Sequence, residues 1–203
     1  MSLLSVKNTL SRDKYSTGRN KMIIMEERMT NIIIVVDATN GFCKEGAIVD
    51  KGIMQNVPNM VNLIKRKRLL GYKMIVVADN HKPDDLEFQR FPKHCIIGTE
   101  ETKVIDELKE FVDYYVPKTR YSGFYKTNLA KILEKEKPKE VIVIGAWTDI
   151  CVMFTIADLC NRDYNVVVPR DCIKARDMTK TEMCLDIIEN TLGAKLVETQ
   201  EEL

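Results

Sequence analysis

Residues 141–160, VIVIGAWTDICVMFTIADLC, decide the fold. Val141 to Ile144 form an unbroken apolar run, the pattern of a strand buried on both faces. The run breaks at Gly145, and a helical pattern starts near Thr148 or Asp149, either of which can cap a helix. Cys151 falls in the first turn of that helix. Unpaired backbone N–H groups and the positive end of the helix dipole there favour a thiolate. A strand, a sharp turn and a cysteine at a helix start can present a nucleophile. By type alone, though, most free cysteines are small buried hydrophobes.

The same alternation extends through the chain from Asn31. Strand patterns occupy 32–37, 73–79, 111–116, 140–145, 164–168 and 195–198. Helical patterns occupy 54–70, 102–110, 126–135, 149–161 and 177–191. Several strands are rich in Val and Ile on both faces, which parallel strands covered by helices require. The expected architecture is an α/β, three-layer, doubly wound sandwich with a mostly parallel sheet of about six strands. Residues 1–30 are polar, mixed and rich in methionine. They read as an N-terminal extension, with Met1-Ser2-Leu3 a cloning remnant or Met22, Met25 or Met29 a late natural start. One short helix is expected within 22–29, and the folded domain spans 31–203.

Composition removes several function classes. Thirty-one basic residues against 30 acidic ones leave a net charge of +1, so no footprint for nucleic acid or an anionic membrane exists. No apolar run reaches the length of a membrane-spanning helix. Six cysteines are scattered without a CxxC pair, which points to free thiols in a reducing, cytoplasmic setting.

In a doubly wound fold the ligand crevice lies beyond the carboxyl ends of the strands. Asp37 ends the first strand, Asp79 the second, and the third runs into Pro117-Lys118. The fourth leads to Cys151. A carboxylate beside a thiol can take its proton, and a nearby ammonium stabilises the charge that results. Taken singly, Asp37 is an ordinary turn residue and Lys118 an ordinary surface lysine. Residues 79–94, DNHKPDDLEFQRFPKH, hold both histidines of the chain together with Asp79, Asp84, Asp85 and Glu87. Asp79 and His81 stand one residue apart, so on extended backbone both point the same way. Nitrogen and oxygen donors without thiolate suit a divalent cation: zinc first, with iron or manganese as alternatives. A polar surface loop whose histidines bind nothing would read the same.

The segments VVDATNGF (35–42), DNH (79–81), FPKHCIIGTE (91–100), PKTRYSGFYKTNL (117–129) and GAWTDICV (145–152) together resemble the isochorismatase-like cysteine hydrolases, in particular their nicotinamidase branch. The resemblance implies a catalytic trio of Asp37, Lys118 and Cys151. It implies a cis peptide between Ala146 and Trp147, and an oxyanion hole from the N–H groups of Trp147 and Cys151. It also implies metal ligands at Asp79, His81 and His94. Many nicotinamidases add a third histidine, which this chain lacks; Glu87 is the candidate, with Asp84 or Asp85 as alternatives. Phe91 stands where an aromatic, usually tryptophan, stacks on the substrate ring. Phe42 is a second wall, and Trp147 a third at a position more often small. The implied reaction is hydrolysis of a small carboxamide through a cysteine thioester, nicotinamide to nicotinate and ammonia. The implied assembly is a dimer or tetramer. Other amide, ureido or isochorismatase-type hydrolysis on the same scaffold is the neighbouring expectation. A non-enzymatic binding or thiol-sensing module is the competing class.

Overall fold

The computed structural model describes residues 30–200, so the helix expected within 22–29 lies outside the described residues. Seven parallel-paired strands build one sheet: β1 (Ile32–Val36), β2 (Lys73–Asp79), β3 (Val112–Lys118), β4 (Val141–Ala146), β5 (Val166–Pro169), β6 (Ile173–Lys174) and β7 (Lys195–Val197). Their order is β3-β2-β1-β4-β5-β7, with β6 extending β4 beyond the reach of β5. The α/β sandwich is therefore as expected, with one strand more. The two-residue β6 is too short to leave a periodic signal.

Side-chain alternation splits the strands between two cores. Ile33 and Val35 join the core packed by the helix α2 (Ile53–Leu69), preceded by the short α1 (Asn40–Cys43). Ile32, Ile34 and Val36 join the opposite core with α3 (Leu129–Glu136), α4 (Met153–Cys160) and α5 (Thr181–Asp186). The α2 helix buries Ile53, Val57, Met60, Ile64 and Lys67, a stripe at helical spacing. Each Val, Ile or Leu fully buried this way contributes roughly 1.5–3 kcal/mol.

The segment 102–110 is not the helix its periodicity suggested. Only single turns form at Glu100–Thr102 and Lys109–Phe111. Val104 instead bridges Thr39, and the Ile105 N–H reaches the Ala38 carbonyl, which sinks Ile105 and Leu108 into the core without a helix. Tertiary pairing overrode local pattern. The strand over 111–116 likewise runs on to Lys118, in register with Asp79.

The sheet grows one way from β1 to β3 and the other way from β4 onward, all strands parallel, so the crevice opens at the carboxyl ends of β1 and β4. Gly145 faces Val36 across this seam in the left-handed region, at φ +118°. A Cβ there would lie 2.1 Å from the Val36 carbonyl oxygen, so only glycine permits the approach. No helix among the described residues is long and apolar enough to cross a membrane.

Candidate active site

Four strand ends deliver the expected trio and one more acid. Asp37 leaves β1 in the left-handed region, at φ +53°, a conformation that Asp tolerates better than most residues. Its N–H donates to the Val77 carbonyl, and its Oδ1 accepts the Asp79 N–H at 2.9 Å. Lys118, at the end of β3, is 1% exposed. Its ammonium lies 2.9 Å from Asp37 Oδ2, contacts Asp79 Oδ1 and stands 3.4 Å from Cys151 Sγ. Carboxylate oxygens of Asp37 and Asp79 and the sulfur of Cys151 all fall within 4.8 Å of one another.

Burial dictates the proton inventory. The Asp37 carboxyl is pushed up to about 6 by desolvation and then by the Asp79 charge, with Lys118 pulling the other way. Burial also lifts the Cys151 thiol well above its usual range; Lys118 pulls it down, and Asp37 and Asp79 push it up. This corrects the expectation of a helix-stabilised thiolate. Cys151 sits inside a π-helical turn, Thr148–Val152, ahead of α4, where it is 3% exposed and faces two carboxylates. The resting sulfur is a thiol, so it needs a base within reach. The turn is not capped by Thr148 or Asp149 either. Trp147 occupies the cap without a side-chain bond, while the Asp149 carboxylate accepts the Arg176 N–H at 2.8 Å. The peptide between Ala146 and Trp147 is cis.

Beside the trio, Asp79, His81, Glu87 and His94 converge, all buried, with candidate ligand atoms within 4.8 Å of one another. Burial alone would raise Asp79; the Lys118 ammonium and the two neighbouring histidines outweigh it and hold the carboxyl below its usual range. Both ring orientations are set from behind. His81 Nδ1 lies 3.1 Å from Asp85 Oδ2, and His94 Nδ1 lies 2.8 Å from the Pro92 carbonyl. His81 Nε2 and Glu87 Oε2 are buried without a hydrogen-bond partner. Orphaned polar atoms at the heart of a two-nitrogen, two-carboxylate cluster are costly unless a cation joins them. The donor set and its outward hydrogen bonds fit a divalent metal such as zinc, iron or manganese. Of the three acids considered for the extra position, Glu87 lies in the cluster. Asp85 backs His81 from outside it, and Asp84 is exposed.

Phe42, Phe91 and Trp147 line one narrow cavity together with Cys151, Asp79, Glu87 and His94. The cavity is tightly closed, with a volume of about 10 Å³. Tyr121 and Ile150 complete the wall and were not expected. The position of Tyr121, three residues beyond Lys118 at a strand's carboxyl end, was the available signal. The Phe42 and Trp147 rings meet edge-to-face at 5.0 Å, and the indole N–H donates to Asp50 Oδ2 at 3.2 Å. Nothing in the sequence marks Asp50.

Residues 31–201 match the family model described as the isochorismatase domain. The chain belongs to the isochorismatase family. Among similar solved structures, N-carbamoylsarcosine amidase from Thermoplasma acidophilum is 32% identical with a TM-score of 0.75, covering 84% of this chain and 97% of that one. Pyrazinamidase of Pyrococcus horikoshii in complex with zinc is 26% identical with a TM-score of 0.77, covering 83% and 98%. A probable inactive nicotinamidase of Arabidopsis thaliana is 32% identical over 165 residues, 74% of this chain and 84% of its own length. The protein is thus an isochorismatase-family hydrolase whose relatives include amidases.

Proposed function

We propose that the protein hydrolyses a small carboxamide through a thioester on Cys151, with nicotinamide, giving nicotinate and ammonia, as the substrate that suits the site best. One observation carries this reading: a single narrow cavity is lined at once by the thiol, by Asp79, Glu87 and His94 of the metal-type cluster, and by three aromatic walls. Aromatic walls on three sides are the lining a flat aromatic ring takes, and on this reading its amide would face the sulfur.

Asp37, a carboxylate at neutral pH with an affinity for protons raised to about 6, takes the Cys151 proton as sulfur attacks the amide carbon. The C–S bond forms and the carbonyl electron pair moves to oxygen, where the backbone N–H groups of Trp147 and Cys151 are the proposed donors. Lys118 holds the negative charge that passes between sulfur and carboxylate. Collapse of the intermediate breaks the C–N bond, and Asp37 returns the proton to departing ammonia. Asp37 then takes a proton from water as it attacks the thioester, releasing the acid and restoring the thiol. Asp79, His81, Glu87 and His94 would hold a divalent cation, which when bound supplies a Lewis-acid anchor for a ring nitrogen.

A second reading is favoured by Arg176. Its guanidinium lies 5.1 Å from the Phe91 ring centre and 5.3 Å from that of Trp147, in a cleft adjoining the cavity through Trp147. A carbamoyl or ureido substrate bearing a carboxylate would meet that cation. The same proposal includes a cytoplasmic dimer or tetramer, which light scattering and fractionation test.

Ammonia release from nicotinamide, set against a panel of small carbamoyl and ureido amides, decides between the two. Nicotinamide turnover should fall at least about 10⁴-fold in Cys151→Ala, with the fold intact. Removing bound metal should raise KM for nicotinamide far more than it lowers kcat. Turnover surviving in C151A would overturn the thioester mechanism, and turnover confined to carboxylate-bearing amides would replace nicotinamide as substrate.

A further inference from the structure

The two histidines of the cluster are oriented by different means. His94 Nδ1 uses a backbone carbonyl, that of Pro92. His81 Nδ1 uses the side chain of Asp85, whose carboxylate does three things at once. Oδ2 lies 3.1 Å from His81 Nδ1, while Oδ1 accepts the Glu87 N–H at 2.9 Å and the Arg120 guanidinium at 2.7 Å. One carboxylate therefore touches two of the four donors, the first through its ring and the second through the turn that carries it. Arg120 follows Lys118 by two residues and also stands 3.8 Å from Glu87 Oε2.

We infer that Asp85, braced by Arg120, is the positioning residue of the metal centre: it keeps the proton of His81 on Nδ1 and so aims the Nε2 lone pair into the cluster. This rests on the reading of Asp79, His81, Glu87 and His94 as metal ligands. In a neutral imidazole, a proton donated from one nitrogen leaves the other free to bind a cation, and a carboxylate acceptor strengthens that second nitrogen as a ligand. The geometry matches, since His81 Nε2 is buried and lacks a hydrogen-bond partner, 3.6 Å from Asp79 Oδ2. Arg120 holds the Asp85 carboxylate in place through its 2.7 Å contact with Oδ1.

Because the Pro92 carbonyl serves His94 whatever stands at position 85, His94 is an internal control. The experiment strips the full-length protein of metal and titrates it with zinc against a competing chelator. ¹⁵N–¹H correlation spectra of the metal-free protein read the tautomer of each histidine. Asp85→Ala should weaken zinc binding about 10–100-fold. It should also mix the tautomers of His81 while leaving His94 protonated on Nδ1. Asp85→Asn keeps an acceptor oxygen without the charge and should give a smaller loss in the same direction. It carries the test if D85A does not fold. A loss of the turn alone would lower stability without moving the His81 tautomer. Wild-type protein that binds zinc while both variants bind it within about twofold of wild type would overturn the positioning role alone. Wild-type protein that takes up no zinc would overturn the metal reading itself.

Discussion

Two lysines at opposite ends of the sheet show how little residue type says about role. Lys73 opens β2 and chelates Glu136 with contacts of 2.9 and 2.7 Å, beside the ring of Tyr114. Lys118 closes β3 among Asp37, Asp79 and Cys151. Each is an ammonium between acidic partners, and each is held above its ordinary affinity for protons. Burial would lower Lys118, yet the Asp37 and Asp79 charges outweigh it; at Lys73 the Glu136 hydrogen bonds are the leading cause. The difference is water. The Lys73 side chain is 38% exposed, so solvent reaches the ammonium and screens the pair from that side, although Glu136 itself is buried. The Lys118 side chain is 0% exposed and its charges have only each other. Structural pairing tolerates solvent, whereas the proposed reaction, in which charge moves between atoms, calls for its exclusion.

That contrast can be broken by substitution. Lys118→Ala should destabilise the fold by about 3–5 kcal/mol, because two buried carboxylates lose their counter-ion, and turnover should vanish with it. Chemical denaturation checks the first and an amidase assay the second. A K118A protein as stable as wild type would show that water reaches this end of the sheet after all. Gly145→Ala should cost about 1–3 kcal/mol by forcing β4 away from Val36 at the seam beneath the site. Thermal unfolding reads that loss, and wild-type stability in G145A would mean the seam yields freely. Lys73→Ala should cost about 0.2–1 kcal/mol and leave turnover unchanged. A larger effect on either would erase the distinction between the two ends.

The sheet was legible because its strands are apolar on both faces, and only parallel strands between helix layers bury such runs. Asp37, Lys118 and Cys151 were legible because a carboxylate, a lysine and a cysteine at successive strand ends share one rim. Residues 102–110 misled because Val104, Ile105 and Leu108 fit a helical stripe, while the Ala38 carbonyl and Thr39 offered their backbone a competing partner. A helix start argues for a thiolate at Cys151, whereas what opposes it is first burial by packing that local sequence does not show, and then aspartates on strands distant in sequence. Asp85 could be named as a candidate ligand, but its actual place behind His81 depends on a turn geometry that no spacing rule encodes.

Asp79 has one carboxylate oxygen against Lys118 and the other facing both histidines. It therefore belongs to two pieces of machinery that could otherwise diverge independently. If the cluster binds a metal as proposed, a lineage that gave it up would be free to lose His81, Glu87 and His94, since nothing in the trio leans on them. It would not be free to lose Asp79, whose second oxygen still balances the buried ammonium. Asp79 should therefore outlive the histidines among descendants of such a site, retained for its hold on a lysine.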